Sequence, residues 1–176
     1  MSITKIGARA ITALPSGVGG KVLQVVQTAK TDTFTLSSTT FTDVTGLSVS
    51  ITPSSASNKI LVLVQISYGG AGNMYSFAKL IRGSTSIFQG DSDAADRTEA
   101  TIPLDTTNEA NSEANKQHMA FISYLDSPAT TSSTTYKIQI ASSDARQSTI
   151  NRSGNDSNNN YDIRSTSSIT VMEIAA

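Results

Sequence analysis

Apolar residues that recur at every second position, in short runs separated by turn residues, limit the folds open to this chain. Leu47, Val49 and Ile51 alternate with serine and threonine, and a turn cluster at residues 53–58 ends the run. This alternation puts the apolar side chains on one face of a β-strand. The pattern therefore predicts short strands that bury one face and expose the other to water.

A different pattern at residues 59–68 predicts a strand that is covered on both faces. Every even-numbered position from Ile60 to Ile66 is apolar, and Leu61 and Leu63 add large apolar side chains to the opposite face. One face would pack on an opposing sheet. The other face would be covered by a neighbouring subunit or by an overlying loop, because burying apolar area is favourable.

The whole pattern predicts about eight to ten short strands with turns between them and no helix longer than a turn or two. The chain holds 27 Ser and 23 Thr in 176 residues, and threonine suits strands whereas serine suits turns. We therefore predict an all-β fold, a two-sheet antiparallel jelly-roll sandwich. An immunoglobulin-like sandwich is the alternative, although it usually has fewer strands and about 100 residues.

The first twenty residues differ from the rest of the chain. They predict an extended N-terminal arm with a Gly-rich hinge at residues 1–20, followed by the jelly-roll domain at residues 21–176. The apolar side chains of the arm would anchor the chain by docking on another protein, and the alternative is a frayed terminus. The candidate anchoring residues are Ile3, Ile6, Ile11 and Leu14.

Charge and composition argue against two classes of partner. The net charge is −1, so the chain has no basic excess to neutralise nucleic-acid phosphates. No apolar run approaches the length of a membrane span. Cysteine is absent and the N-terminus lacks a signal-peptide core, so we expect assembly in a reducing cytoplasm or stabilisation by oligomerisation.

Catalytic and metal-binding patterns are weak, which predicts a protein that is not an enzyme and needs no cofactor or metal. His118 is the only histidine, and no Gly-x-Ser-x-Gly motif marks a nucleophile. Asp91, Asp93 and Asp96 share one polar loop, but the glycine and closing glutamate of a calcium loop are missing. We interpret this stretch as a solvated loop, with cation binding near Asp91 and Asp93 as the alternative.

A polar loop late in the chain mixes amide groups with one aromatic ring, a composition typical of recognition loops. Such groups suit the hydroxyls of a glycan, and the alternative is a plain solvated loop. The candidate receptor-contacting residues are Asn151, Arg152, Asn155, Asp156, Asn158, Asn159, Asn160 and Tyr161.

Several segments, taken in order, resemble the small fibre and appendage proteins of tailed bacteriophages, especially those of marine bacteria. These segments are residues 20–26, 41–53, 57–62, 150–153 and 168–174. No single motif is specific, but their order is, and the likeness covers most of residues 20–176 with looser spacing in the middle. It implies a tumour-necrosis-factor-like jelly roll, a homotrimer, and a place in the virion with an anchoring N-terminus and distal loops that face the host.

Three functions follow as hypotheses. The first is a trimeric tail fibre or tip that attaches to a host surface glycan or protein, and the second is a capsid decoration protein or head fibre held on another virion protein by its arm. The third is a polysaccharide-cleaving enzyme, which would need two carboxylates about 5 to 10 Å apart. In the trimer, residues 151–153 would serve packing instead of recognition, with Arg152 pairing across the axis with a carboxylate such as Asp144.

Overall fold

Eleven β-strands run through the residues that the computed structural model describes, which are 20–70, 75–91, 96–105 and 115–176. The strands are β1 (Val22–Lys30), β2 (Phe34–Leu36), β3 (Thr42–Ile51), β4 (Lys59–Gly70), β5 (Tyr75–Arg82), β6 (Thr85–Ile87), β7 (Ile102–Asp105), β8 (His118–Asp126), β9 (Thr134–Ser142), β10 (Ser148–Ile150) and β11 (Ser167–Ile174). No α-helix occurs within these ranges. The all-β prediction is confirmed.

The strands form two antiparallel sheets. In the first sheet β1, β11, β4 and β8 lie side by side, and β10 and β2 extend it beside the last residues of β4. In the second sheet β3, β9 and β5 lie side by side, with β6 and β7 both paired to β5. The chain changes sheet at six of the ten connections between these strands, which is consistent with the predicted jelly-roll sandwich.

The core lies between the sheets and is built from the alternating residues. The even-numbered apolar residues of β4, from Ile60 to Ile66, are at most 3% exposed. They pack with Leu47, Val49 and Ile51 of β3 in one apolar cluster. Because strand side chains alternate between faces, the same strand directs its odd-numbered residues away from this core.

A buried polar contact joins the two sheets beside the core. The carboxylate of Asp126, at the end of β8, accepts hydrogen bonds from Tyr136 Oη at 2.6 Å and from Arg82 Nη1 at 2.7 and 2.9 Å. Tyr136 and Arg82 both belong to the second sheet. Burial, together with the nearby Asp126 carboxylate, raises the pKa of Tyr136 well above its ordinary value. The phenol therefore stays protonated and remains a donor.

A second buried carboxylate ties β11 to β1 and to the turn between β3 and β4. Glu173 is 1% exposed and accepts hydrogen bonds from Gln24 Nε2, Asn58 Nδ2, and both the backbone N–H and the hydroxyl of Ser54, all at 2.6 to 2.7 Å. Burial alone would raise the pKa of Glu173, but the four hydrogen bonds outweigh it and hold this pKa at about 2. The charged carboxylate is thus the form that the fold stabilises.

The Glu173→Gln variant should unfold at a lower urea concentration than the unmodified protein at neutral pH. The NH2 group of the new amide would face the donors of Gln24, Asn58 or Ser54, which bond to the carboxylate in the unmodified protein. The pKa of about 2 lies below the ordinary 4.5, so the carboxylate stabilises the fold fully above pH 4.5 and loses this effect as the pH falls toward 2. Urea unfolding followed by circular dichroism at several pH values gives the midpoint of each protein. The difference between the two midpoints should be constant at higher pH and should become smaller in acid. A difference independent of pH would contradict this assignment.

Candidate functional site

The outer face of the first sheet, which points away from the core, carries no charged residue over its central three rows. The strand register aligns these side chains across β1, β11, β4 and β8. Row one holds Val25, Met172, Leu61 and Leu125; row two holds Gln27, Thr170, Leu63 and Ser123; row three holds Ala29, Ser168, Gln65 and Phe121. Row one is wholly apolar, whereas rows two and three mix apolar and small polar groups.

Large apolar side chains of this outer face are exposed to solvent. Phe121 is 67% exposed and Val25 is 55% exposed. Leu61 and Leu63 lie here and are half-buried, as the two-sided pattern of β4 predicts. Single exposed apolar residues are ordinary, but a contiguous group of them commonly marks an interaction surface.

The size of the outer face suits contact with another protein. Four strands about 4.8 Å apart and about eight residues long at roughly 3.3 Å each give a flat area of roughly 500 Å². The relief of the side chains adds to this value. One partner of a standard protein interface buries about 800 Å², so the outer face has the right order of size.

The exposed face of the second sheet has the opposite composition. Lys137 Nζ lies 2.6 Å from an Asp43 carboxylate oxygen, and Gln139 donates to the same carboxylate at 2.7 Å. The hydrogen bonds from Lys137 and Gln139 lower the pKa of Asp43. Lys79 Nζ lies 4.4 Å from the centroid of the Phe41 ring. The second sheet shows that an outward face of this sandwich can carry charged residues. The lack of charge on the outer face of the first sheet is therefore not a requirement of the fold.

A shallow groove of about 300 Å³ crosses rows two and three of the outer face. Gln65 and Ser168 form part of it, between the larger side chains of Leu63 and Phe121. In row two, Gln27 Nε2 donates to Thr170 Oγ1 at 2.7 Å. Gln65 makes no such bond to any residue that the structure describes.

Two of the predicted receptor-contacting residues, Asn151 and Arg152, are buried. Asn151 is 0% exposed with φ of +62°, and its amide donates to the carbonyls of Lys30 and Asp32 at 2.8 and 2.9 Å. It also accepts a hydrogen bond from Ser167 Oγ at 2.6 Å. These contacts hold the start of the loop against β1 and β11. Asn151 therefore does not form a recognition surface in this structure.

Arg152 is 7% exposed and bonds within its own chain. Its guanidinium donates to the carbonyls of Ser153 and Gly154 and to Thr35 Oγ1, at 3.1 to 3.2 Å. A side chain at Gly69 would have its Cβ 2.7 Å from the Arg152 carbonyl oxygen, so only glycine fits there. Asp144, the carboxylate expected to pair with Arg152 across a subunit axis, lies 2.7 Å from Arg146 of the same chain, and the pairing across the axis stays a prediction.

The other six candidates are exposed: Asn155, Asp156, Asn158, Asn159, Asn160 and Tyr161. Internal bonds hold their loop, including Ser157 N to Asp162 Oδ2 at 3.0 Å and the ion pair of Arg164 with Asp156. This exposure suits a recognition role, which stays a prediction.

The loop at residues 151–166 and Gly20 lie toward opposite ends of the first sheet. Gly20 sits against Ile174, which pairs with Lys59 at the start of β4. The loop leaves β10 after Ile150, which pairs with Tyr68 near the end of β4. The nine residue steps from Lys59 to Tyr68 span roughly 30 Å at about 3.3 Å each.

Several predicted residues lie outside the described ranges: Ile3, Ile6, Ile11, Leu14 and Asp93. Within the described part of the chain, no three Asp, Glu, His or Cys side chains are grouped as metal ligands would be. His118 lies on β8 with its ring centroid 5.5 Å from that of Tyr68. No helix of the described residues is long and apolar enough to cross a membrane.

Comparison with known proteins gives a distant likeness only. No family model and no curated protein matches the chain. Similar solved structures include infectious bursal disease virus Gt strain (13% identity, TM-score 0.42, covering 87% of this chain and 38% of that chain) and Gx strain (9%, 0.40, 88% and 39%). Eiger TNF from S. frugiperda is also similar (10%, 0.38, 86% and 93%). This chain thus spans about two fifths of the viral chains, and likeness at this level does not bear on function.

The Asn151→Ala variant should lower the free energy of unfolding by about 2 to 4 kcal/mol. It removes the amide from the buried Lys30 carbonyl and the buried Ser167 hydroxyl, and it strains the left-handed backbone. Asn159→Ala, in the exposed part of the loop, should change it by less than about 0.5 kcal/mol. Urea unfolding followed by circular dichroism at one protein concentration compares them. Equal stability of the two variants would contradict the structural role of Asn151.

Proposed function

We propose that this chain is a non-enzymatic structural protein of a virus particle that assembles as a homotrimer through the outer face of its first sheet. The observation that carries the proposal is the uncharged outer face, with a wholly apolar first row and the exposed Phe121 in row three. Interface cores are depleted in charged residues and enriched in aromatic residues and methionine, and this face has that composition.

A second copy of the same chain is the partner that fits this face best. In a homotrimer the outer faces of three copies would lie around one threefold axis, so that each uncharged face meets equally uncharged ones. Closed symmetric homo-oligomers are the commonest soluble assemblies. The charged face of the second sheet would stay in water. The number of subunits, three, rests on the resemblance to bacteriophage fibre proteins.

The Leu61→Glu variant should weaken self-association at least about a hundredfold, because it places an unpaired charge in the apolar first row. Ser48→Glu is the matched control, since it adds the same charge to the exposed face of the second sheet. Sedimentation velocity over a dilution series gives the mass of each. An unmodified protein that is a monomer at micromolar concentration, or a Leu61→Glu variant that keeps its mass, would overturn the proposal.

The place in the virion is proposed from the sequence resemblance and from the two ends of the sheet. A tail fibre or tip that attaches to a host needs exposed loops at the end opposite its anchor, and roughly 30 Å of β4 separates its Gly20 end from the loop end. A capsid decoration protein or head fibre, docked on another virion protein by its arm, is the alternative. Antibody labelling of intact particles separates them, because label on the head would exclude the tail-fibre assignment.

Host attachment is proposed to involve the exposed loop residues Asn158, Asn159 and Asn160. Replacing all three with alanine should reduce the ability of the purified protein to compete with particles for adsorption to host cells, because amide groups that bond a glycan or protein are removed. Ser57→Ala, at the opposite end of the sheet, should leave competition unchanged. Full competition by the triple variant would argue against attachment through this loop.

A further inference from the structure

The outer face is graded along the strands, and this grading bears on how two copies meet. Row one is apolar across all four strands, whereas Gln65 and Ser168 bring polar groups to row three. The three rows are about 7 Å apart, because alternate residues of a strand lie on one face. Row one is therefore apolar throughout, whereas row three places Gln65 and Ser168 between the apolar Ala29 and Phe121.

We propose that Gln65 is a specificity residue that makes copies of this chain associate in the same direction, with row one on row one and polar rows together. This inference deepens the proposed homo-oligomer and rests on it. The occupant of the face is a second copy, as its area and lack of charge indicate.

Opposed copies would bury the amide of Gln65 without partners. If two copies ran in opposite directions about the middle of the face, row three of one copy would cover row one of the other. The Gln65 amide would then face the apolar side chains of Leu61 and Met172. A buried polar group without a partner weakens association by roughly ten- to a hundredfold, and each interface would contain it twice.

Copies that run in the same direction give the amide suitable partners. Row three would meet row three, and row two would lie close by. The hydroxyls of Ser123 and Ser168 make no hydrogen bonds to residues that the structure describes, and both line the groove beside Gln65. An amide supplies two donors and an acceptor, and a hydroxyl supplies both kinds of group, so amide–hydroxyl and amide–amide bonds between copies satisfy them.

A buried polar group of this kind lowers affinity and raises specificity. A single polar residue in an apolar contact is known to fix register and subunit number in helical assemblies. The Gln65→Leu variant should therefore associate at least as tightly as the unmodified protein but with mixed orientations.

Spin labels on single cysteines measure the orientation, since the chain has no native cysteine. Ala56→Cys reports the Gly20 end and Asn159→Cys reports the loop end, and both positions are exposed. A mixed sample combines copies labelled at residue 56 with copies labelled at residue 159. In the oligomer that keeps Gln65, the distance between two labels at the same end should be shorter than the distance between labels at different ends. Shorter distances between different ends would overturn the proposal.

The Gln65→Leu background should add a population with short distances between different ends, or a broader range of masses in native mass spectrometry. Gln139→Leu makes the same change on the exposed face of the second sheet and should leave one orientation and one mass. A single same-direction species in Gln65→Leu would overturn the role of Gln65 while leaving the homo-oligomer intact. A monomeric unmodified protein would instead overturn the proposed function.

Discussion

Strand β4 is the element on which the rest of the structure depends, because both of its faces are apolar. Its even-numbered residues form the middle of the sandwich core, and Leu61 and Leu63 give the outer face its apolar centre. A strand in the middle of a sheet, with β11 on one side and β8 on the other, exposes no hydrogen-bonding edge of its own. The twelve residues of β4 thus contribute to the core on one side and to the uncharged outer face on the other.

Much of the fold was predictable from local pattern, because the period of two in a strand depends only on neighbouring residues. The alternation at Leu47, Val49 and Ile51 and the two-sided run at β4 both appear in the structure as predicted. The short strand β10 was not predicted, since three residues carry too little periodicity. It forms because β4 and β2 pair with its two edges.

The site was predictable only in part, because it depends on which strands pair. The apolar residues of β1, β8 and β11 were visible as separate runs, but their alignment in rows follows from long-range register. The polar residues Asn151 and Glu173 were harder still. Sequence composition predicted that Asn151 belongs to a recognition loop, whereas the structure gives its side chain buried partners on distant residues. Local sequence does not specify such partners.

The loop that follows Asn151 is closed at a narrow neck. The Asn151 carbonyl accepts a hydrogen bond from the backbone N–H of Ser165 at 3.1 Å. The backbones of Arg152 and Arg164 pair in an isolated antiparallel β-bridge. Beyond this neck, Ser153 and Gly154 are still buried, and residues 155–161 are exposed. Residues 155–162 can consequently gain, lose or exchange amino acids during evolution without altering the core, which lets one stable scaffold diversify the surface it presents.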